Sequence, residues 1–337
     1  MSFTIVASFA AGPHAAAIPL LEGAGCMVRQ IPAEARAWTP ELIADYAPTA
    51  DAWLGTFPGL KLPRQVLERS ERARLVVSSI IGTDFIDVAA ASKLGILVAH
   101  GAMAENFDGM AEAGVMLIAA LRKALPGKIA ALAEGRWKPA PAGRMVKGAT
   151  IGIIGFGRIG QGVARRLQGW DCDIIAHDPY LGAEKAVAAG AELVSLEALL
   201  ERSDVVVMLV TLTEETRHLI DAAAIARMKP NAHLINIGRG GCVDEAALLA
   251  ALDEGRLAGA AIDTWETEPL PADHPLRRHP KVIATGHVVG HSEELYARIP
   301  EVAAENMLRG LRGLDPLHIR NPDALPAWHA RMARLAA

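Results

Sequence analysis

Apolar residues recur along the chain in two alternating patterns. Short β-branched runs at 2–8, 52–54, 75–79 and 96–98 have the length of buried strands. Between them, Pro40–Tyr46, 63–69 and Val88–Lys93 carry apolar residues at helical spacing. This rhythm predicts a parallel sheet covered by helices. A longer helix is expected over 110–125, followed by a loop carrying Pro126, Pro139 and Pro141. The rhythm resumes at Ala149 and continues through 173–176, 205–210, 233–237, 259–262 and 282–284. These six strands are apolar nearly throughout, as strands buried on both faces must be. Beyond them, Glu293–Leu311 reads as a helix and 316–321 as an extended, proline-bounded tail returning to the first domain. The expected fold class is α/β, with two Rossmann-like or flavodoxin-like domains built on doubly wound parallel sheets. One is discontinuous, over 1–102 and 291–337, and the other runs over 103–290.

Composition narrows the class of partner. In 337 residues, 34 Lys and Arg against 38 Asp and Glu leave a formal charge of −4, which argues against nucleic acid or an anionic membrane surface. A hydrophobic fraction of 51% with 21% charged residues belongs to a folded globular chain. Apolar runs such as 113–121 and 205–210 fall short of the ~20 residues of a membrane span. No charged side chain precedes Glu22, yet no basic stretch opens the chain and Pro13 and Pro19 interrupt the apolar run. An internal strand and helix are therefore expected there, not a secretion signal. Cys26, Cys172 and Cys242 stand far apart without a CxxC pair, so neither a zinc site nor a disulfide framework is expected and a reducing cytoplasm fits.

Chemistry enters where a strand leads into Gly155-Phe156-Gly157-Arg158-Ile159-Gly160 and then a helix. Gly155 permits a tight turn, Gly157 lets the backbone approach a pyrophosphate, and Gly160 lets helix and strand pack closely. The helix N-terminus adds N–H donors, so Arg158 and Ile159 join the expected dinucleotide site. Asp178 follows Gly160 by 18 residues, at the end of the next strand, where a carboxylate can accept both ribose hydroxyls. That acid would repel a 2′-phosphate, and no arginine follows it in His177-Asp178-Pro179-Tyr180. NAD is expected over NADP, and NADH over NADPH.

Three later segments, 235–241, 261–269 and 284–290, each follow or end a strand and hold groups suited to hydride transfer at a carbonyl. Together with IGTDFID at 81–87, MAE at 110–112, LTEETRHLI at 212–220, GRGGCVDEAAL at 238–248 and the PL and NP of the tail, they extend a likeness over nearly the whole chain. It resembles the D-isomer-specific 2-hydroxyacid dehydrogenases, a family that includes phosphoglycerate dehydrogenases and glyoxylate/hydroxypyruvate reductases. The resemblance implies an NAD-dependent oxidoreductase acting on a small 2-oxo or 2-hydroxy acid in a cleft between domains. It implies Arg239, Glu268 and His287 as catalytic residues and Asp263 at the nicotinamide carboxamide. It places Thr211, Ile237 and Gly238 along the cofactor and the backbone of Ile81 and Gly82 on the substrate carboxylate. Elementary chemistry agrees. Arg239 offers a planar fork for a carboxylate and a polarised carbonyl. His287 is a proton donor suited to neutral pH, and Glu268 beside it would favour the charged ring and fix its tautomer.

Departures from the family pattern are also legible. Gly286 stands before the histidine where many relatives have proline, so a more flexible loop is expected. His291 replaces a small residue; it is expected to line the pocket or cap the next helix, with a His287–His291 metal pair the lesser alternative. No metal is expected. Cys242, just past Arg239, reads as a buried inert thiol. Trp137 either anchors its own loop or, as in resembling reductases, joins a homodimer and reaches the partner's active site. The substrate pocket is expected to be lined by 53–57 and 80–83, which carry neither Arg nor Lys. That favours glyoxylate or hydroxypyruvate over 3-phosphoglycerate, the alternative substrate. An NAD-sensing interaction protein of the same fold is the rival function. A formate dehydrogenase would have Gln in place of Glu268.

Overall fold

The computed structural model describes residues 2–8, 12–56, 60–138 and 142–336. Phe57, Pro139 and Pro141 lie outside them. The chain divides into two compact units, Met1–Glu105 with Ser292–Ala337, and Asn106–His291.

The first unit is built on β1 (Thr4–Ala7), β2 (Met27–Gln30), β3 (Ala52–Gly55), β4 (Leu75–Ser78) and β5 (Leu97–Ala99). All pairs are parallel, in the order β2-β1-β3-β4-β5, a doubly wound arrangement. Successive side chains point to opposite faces. Ile5, Leu54, Leu75, Val77 and Leu97 meet Ala303, Met307, Leu311 and Trp328 on one side, while Val6, Trp53, Val76 and Val98 meet Val66, Leu67 and Phe85 on the other. Strand β2 is absent from the sequence-based expectation because it is an edge strand. Its Met27 and Gln30 are exposed and leave no apolar run to read. The tail does return to this sheet. Asn321 accepts the Val98 N–H at 2.8 Å and donates to the Ile96 carbonyl at 3.1 Å. The buried Arg331 guanidinium donates to the carbonyls of Ser70, Glu71, Ala73 and Leu94.

The second unit carries β6 (Thr150–Ile154), β7 (Asp173–His177), β8 (Glu192–Leu193), β9 (Val205–Met208), β10 (Ala232–Asn236), β11 (Leu257–Ile262) and β12 (Val282–Ala284). They form a parallel sheet in the order β12-β11-β10-β9-β6-β7-β8. The two-residue β8 is again an edge too short to leave a pattern. Pro126 is not in a loop, as expected from sequence, but in the first turn of a helix, Leu125–Ala133. Proline fits there because its missing N–H has no intrahelical partner to lose. The preceding helix spans Ala104–Arg122. Because every strand is parallel, all carboxyl ends lie at one edge of the sheet. The chain reverses its winding between β6 and β9, and a crevice forms at such a point.

Candidate active site

The glycine turn follows β6 at that crevice, and each glycine meets a different demand. Gly155 has φ 88°, and a Cβ there would lie 2.9 Å from the Leu209 carbonyl carbon. At Gly160 a Cβ would lie 2.6 Å from the Gly155 carbonyl oxygen, so helix and turn touch only without one. Nothing lies within 4 Å of a Cβ at Gly157, which leaves open space at the N-cap of helix Arg158–Arg166. Close packing at two positions with room at the third is what a pyrophosphate on a helix N-terminus requires. Arg158 lays its guanidinium over the Phe107 ring, 4.9 Å from the centroid. At the end of β7, Asp178 accepts the Phe156 N–H at 2.9 Å and the Tyr180 N–H at 3.0 Å. Each carboxylate oxygen has a second lone pair, so ribose hydroxyls can still be accepted. These residues fit a bound dinucleotide.

Arg239 sits on the turn after β10. The buried Asn236 side chain ties that turn down, accepting the Gly238 N–H at 3.2 Å and donating to the Arg239 carbonyl at 3.0 Å. Ile237 and Gly238 are buried beneath it, and one guanidinium N–H donates to the Gly238 carbonyl at 2.8 Å. Gly240 then packs against the backbone of Trp265, so closely that any Cβ would overlap the Trp265 carbonyl. This contact joins the Arg239 turn to the loop after β11, which bears Glu268.

Glu268 accepts the Trp265 N–H on Oε1 at 2.8 Å, and its Oε2 lies 2.9 Å from His287 Nδ1. Its side chain is 15% exposed and that of His287 39%. Burial alone would raise the carboxyl. The His287 and Trp265 hydrogen bonds and the charges of His287 and Arg239 outweigh it and hold Glu268 below the usual carboxylate range. An ionised carboxylate only accepts, so Nδ1 carries the proton and Nε2 points away from Glu268. His287 has φ 60°, a left-handed conformation uncommon for histidine. Asp263, 1% exposed, holds it there. The Asp263 carbonyl accepts the His287 N–H at 2.7 Å, and its Oδ1 accepts the Thr285 hydroxyl and the N–H groups of Val288 and Val289 at 2.7–3.2 Å.

Other expectations fare unevenly. On either side of Gly286, Thr285 and residues 287–289 hydrogen-bond to Asp263. His291 does not cap the next helix; the Ser292 hydroxyl does, accepting the Leu295 N–H at 3.2 Å. His287 and His291 do not share a helix, and among the described residues no group of three candidate ligands could hold a metal. Burial pushes the His291 imidazole down from its ordinary value, opposed by the charge of Asp263 and reinforced by that of His287. Cys242 is fully buried, its thiol pushed up by burial. Thr211 is exposed on the loop after β9, and its carbonyl accepts the Thr216 hydroxyl at 2.7 Å. Ile81 and Gly82 belong to the first unit, in a turn closed by the Ser78 hydroxyl donating to the Gly82 carbonyl at 2.7 Å. Trp137 is 80% exposed and does not bury itself in its own loop. Sequence reasoning passed over Asn236 and Thr285, the polar residues that shape the two turns. Asn236 left a signal, a lone amide closing an apolar strand.

Residues 115–289 match the family described as D-isomer specific 2-hydroxyacid dehydrogenase, NAD binding domain. The chain belongs to that family. The glyoxylate reductase of Korarchaeum cryptofilum is 39% identical over 268 residues, 77% of this chain and 80% of that protein. The D-3-phosphoglycerate dehydrogenase of Methanocaldococcus jannaschii is 37% identical over 270 residues, 80% of this chain. The match spans only 51% of the latter protein's length. Among solved structures, an NADPH-dependent glyoxylate/hydroxypyruvate reductase from Sinorhizobium meliloti, in complex with NADP and malonate, aligns with TM-score 0.82 at 25% identity. That alignment covers 97% of this chain and 98% of the other.

Proposed function

We propose that this family member is an NAD-dependent D-2-hydroxyacid dehydrogenase that reduces a small 2-oxo acid. One observation carries the reading: Glu268 and His287 stand 2.9 Å apart, on loops joined through Gly240 to the turn of Arg239. The dinucleotide supplies hydride chemistry at the carbonyl carbon when bound, and Gly155, Gly157, Arg158, Ile159, Gly160, Asp178, Thr211, Ile237, Gly238 and Asp263 are the residues proposed to hold it. Arg239 grips the substrate carboxylate and carbonyl oxygen together, drawing electron density from the carbon that accepts hydride. Ile81 and Gly82 hold the carboxylate through their backbone. As the carbonyl oxygen gains charge, His287 Nε2 donates its proton to it, leaving the 2-hydroxy acid and a neutral ring. Glu268 stabilises the ring while it is charged and fixes its tautomer.

Asp178 supports NADH over NADPH, because a 2′-phosphate would face its carboxylate. The absence of Arg and Lys from 53–57 and 80–83 supports glyoxylate or hydroxypyruvate over a phosphorylated acid. A homodimer is supported by Leu125, Ile129 and Leu132, exposed by 45%, 61% and 61% on one face of their helix, with Trp137 beyond them. A cytoplasmic location is supported by three free cysteines. Among the described residues no helix is long and apolar enough to cross a membrane.

The test is a panel of 2-oxo acids with NADH and NADPH, run on the parent, Arg239→Lys and Arg239→Ala. Arg239→Ala should lose about 10²–10³-fold in kcat/KM, the scale of removing one transition-state donor. Lysine should restore only part, because it keeps the charge but not the two-point grip. Full rescue by lysine would replace the fork by simple attraction, and a fully active alanine variant would return the reading to the NAD-sensing alternative.

A further inference from the structure

Loops after β7 and β9 are tied together across the end of β6. Tyr180, two residues beyond Asp178, donates its hydroxyl to Glu215 Oε2 at 3.0 Å. In the sheet, β9 and β7 flank β6 on opposite sides, so this bond arcs over the strand that delivers the glycine turn. Both anchors are set from below. The Tyr180 N–H donates to Asp178 Oδ1 at 3.0 Å. The Glu215 loop is knit by Thr213 and Thr216, with the Thr213 N–H donating to Thr216 Oγ1 at 2.7 Å and the Thr216 hydroxyl reaching the Thr211 carbonyl. The Tyr180 hydroxyl is pushed above its ordinary value first by the hydrogen bond to Glu215, then by the charge of Glu215, with Asp178 adding to it. Arg217, on the same loop, lies 4.0 Å from Glu214. The loops after β7 and β9 thus carry Asp178, Glu214 and Glu215, with Arg217 at Glu214.

We propose that Glu215, fixed in place by the Tyr180 hydroxyl, is a second acidic determinant against a 2′-phosphate beside the ribose site of Asp178. The inference rests on the dinucleotide reading above and deepens it. A 2′-phosphate carries about −1.5 to −2 charges at neutral pH, and a carboxylate held at the rim acts on it within a Debye length of about 8 Å. NADH lacks that group and feels Glu215 far less. Tyr180 matters because an untethered surface glutamate swings into solvent and is screened.

The experiment is fluorescence titration of NADH and NADPH against the full chain, giving dissociation constants independent of turnover. In Glu215→Gln the NADPH-to-NADH ratio of Kd should fall about five-fold, the equilibrium effect of roughly one unit-charge contact in water. Tyr180→Phe should move it the same way by a smaller factor. Glu214→Gln, which removes the same charge from a side chain 93% exposed, should change it by less than two-fold. Raising the salt to about 0.5 M should erase most of the Glu215 effect. A parent that binds NADH while Glu215→Gln leaves the ratio within two-fold overturns the role of Glu215 alone. Equal effects from Glu214→Gln and Glu215→Gln overturn the positioning by Tyr180. A parent that binds neither nucleotide overturns the dinucleotide reading and this inference with it.

Discussion

His287 is held where histidine rarely settles, at φ 60°, by the carbonyl of a buried aspartate. Strain of about 1–3 kcal/mol at such a residue persists only when its surroundings impose it, and here the Asp263 bonds do so. On the proposed chemistry, His287→Ala should lower kcat by about 10²–10⁴-fold, the usual contribution of a positioned acid. NADH binding should survive, as titration of the nucleotide would show; near-normal kcat would make the ring structural. Glu268→Gln should be milder and should move the pH optimum of reduction toward acid, because the charged ring loses its counter-charge. A pH–rate profile that keeps its optimum would detach Glu268 from the proton donor. The residues proposed for the chemistry could be picked out in the sequence because their motifs are short-range. Asp263 was read as a cofactor contact, and its work on the 285–289 loop was not, since nothing local in sequence links residue 263 to a turn more than twenty positions away.

At the level of elements, the Arg239 turn and the Glu268 loop meet backbone to backbone because residue 240 has no side chain. Gly240→Ala must push the two turns apart. The expected result is a loss of about 1–3 kcal/mol in stability from overpacking, with a fall in kcat/KM larger than that from Cys242→Ser in the same turn. Denaturant melts and steady-state rates on both variants would check this, and a fully active Gly240→Ala would show that the turns need not touch. The same scale explains what the sequence pattern hid. Central strands such as β4 and β9 are buried at every residue and stand out as apolar runs. Strands β2 and β8 lie at sheet edges with exposed positions and leave no such run. The helix Leu125–Ala133 was masked by Pro126, which is compatible with a first turn but reads as a breaker when the start of the helix is unknown.

Across the molecule, one buried base links stability to pH. His233 in β10 is 7% exposed and its Nδ1 has no partner. Burial first, then the charge of Arg122, pushes the ring down to about 4. The folded chain therefore keeps this imidazole neutral at pH values where the unfolded chain, with an ordinary value near 6.5, has already bound a proton. Its contribution is complete above pH 6.5 and is lost as pH falls from about 6.5 toward 4, amounting in full to about 3 kcal/mol. Thermal melts from pH 7.5 to 4 should show a steeper decline in the parent than in His233→Leu. Parallel curves would mean that other groups govern acid unfolding.

Residues Met1–Glu105 and Ser292–Ala337 make up one unit, and the stretch 106–291 between them makes up the other. The glycine turn, Asp178, Arg239, Glu268 and His287 all lie inside that uninterrupted stretch, while Ile81 and Gly82 lie outside it. On the proposed function, the groups assigned to hydride transfer are therefore contiguous in sequence, with one junction near residue 105 and one near residue 292. Exchanging the flanks that bear Ile81 and Gly82 at both junctions would, on that proposal, change the acid accepted without altering a residue of 106–291.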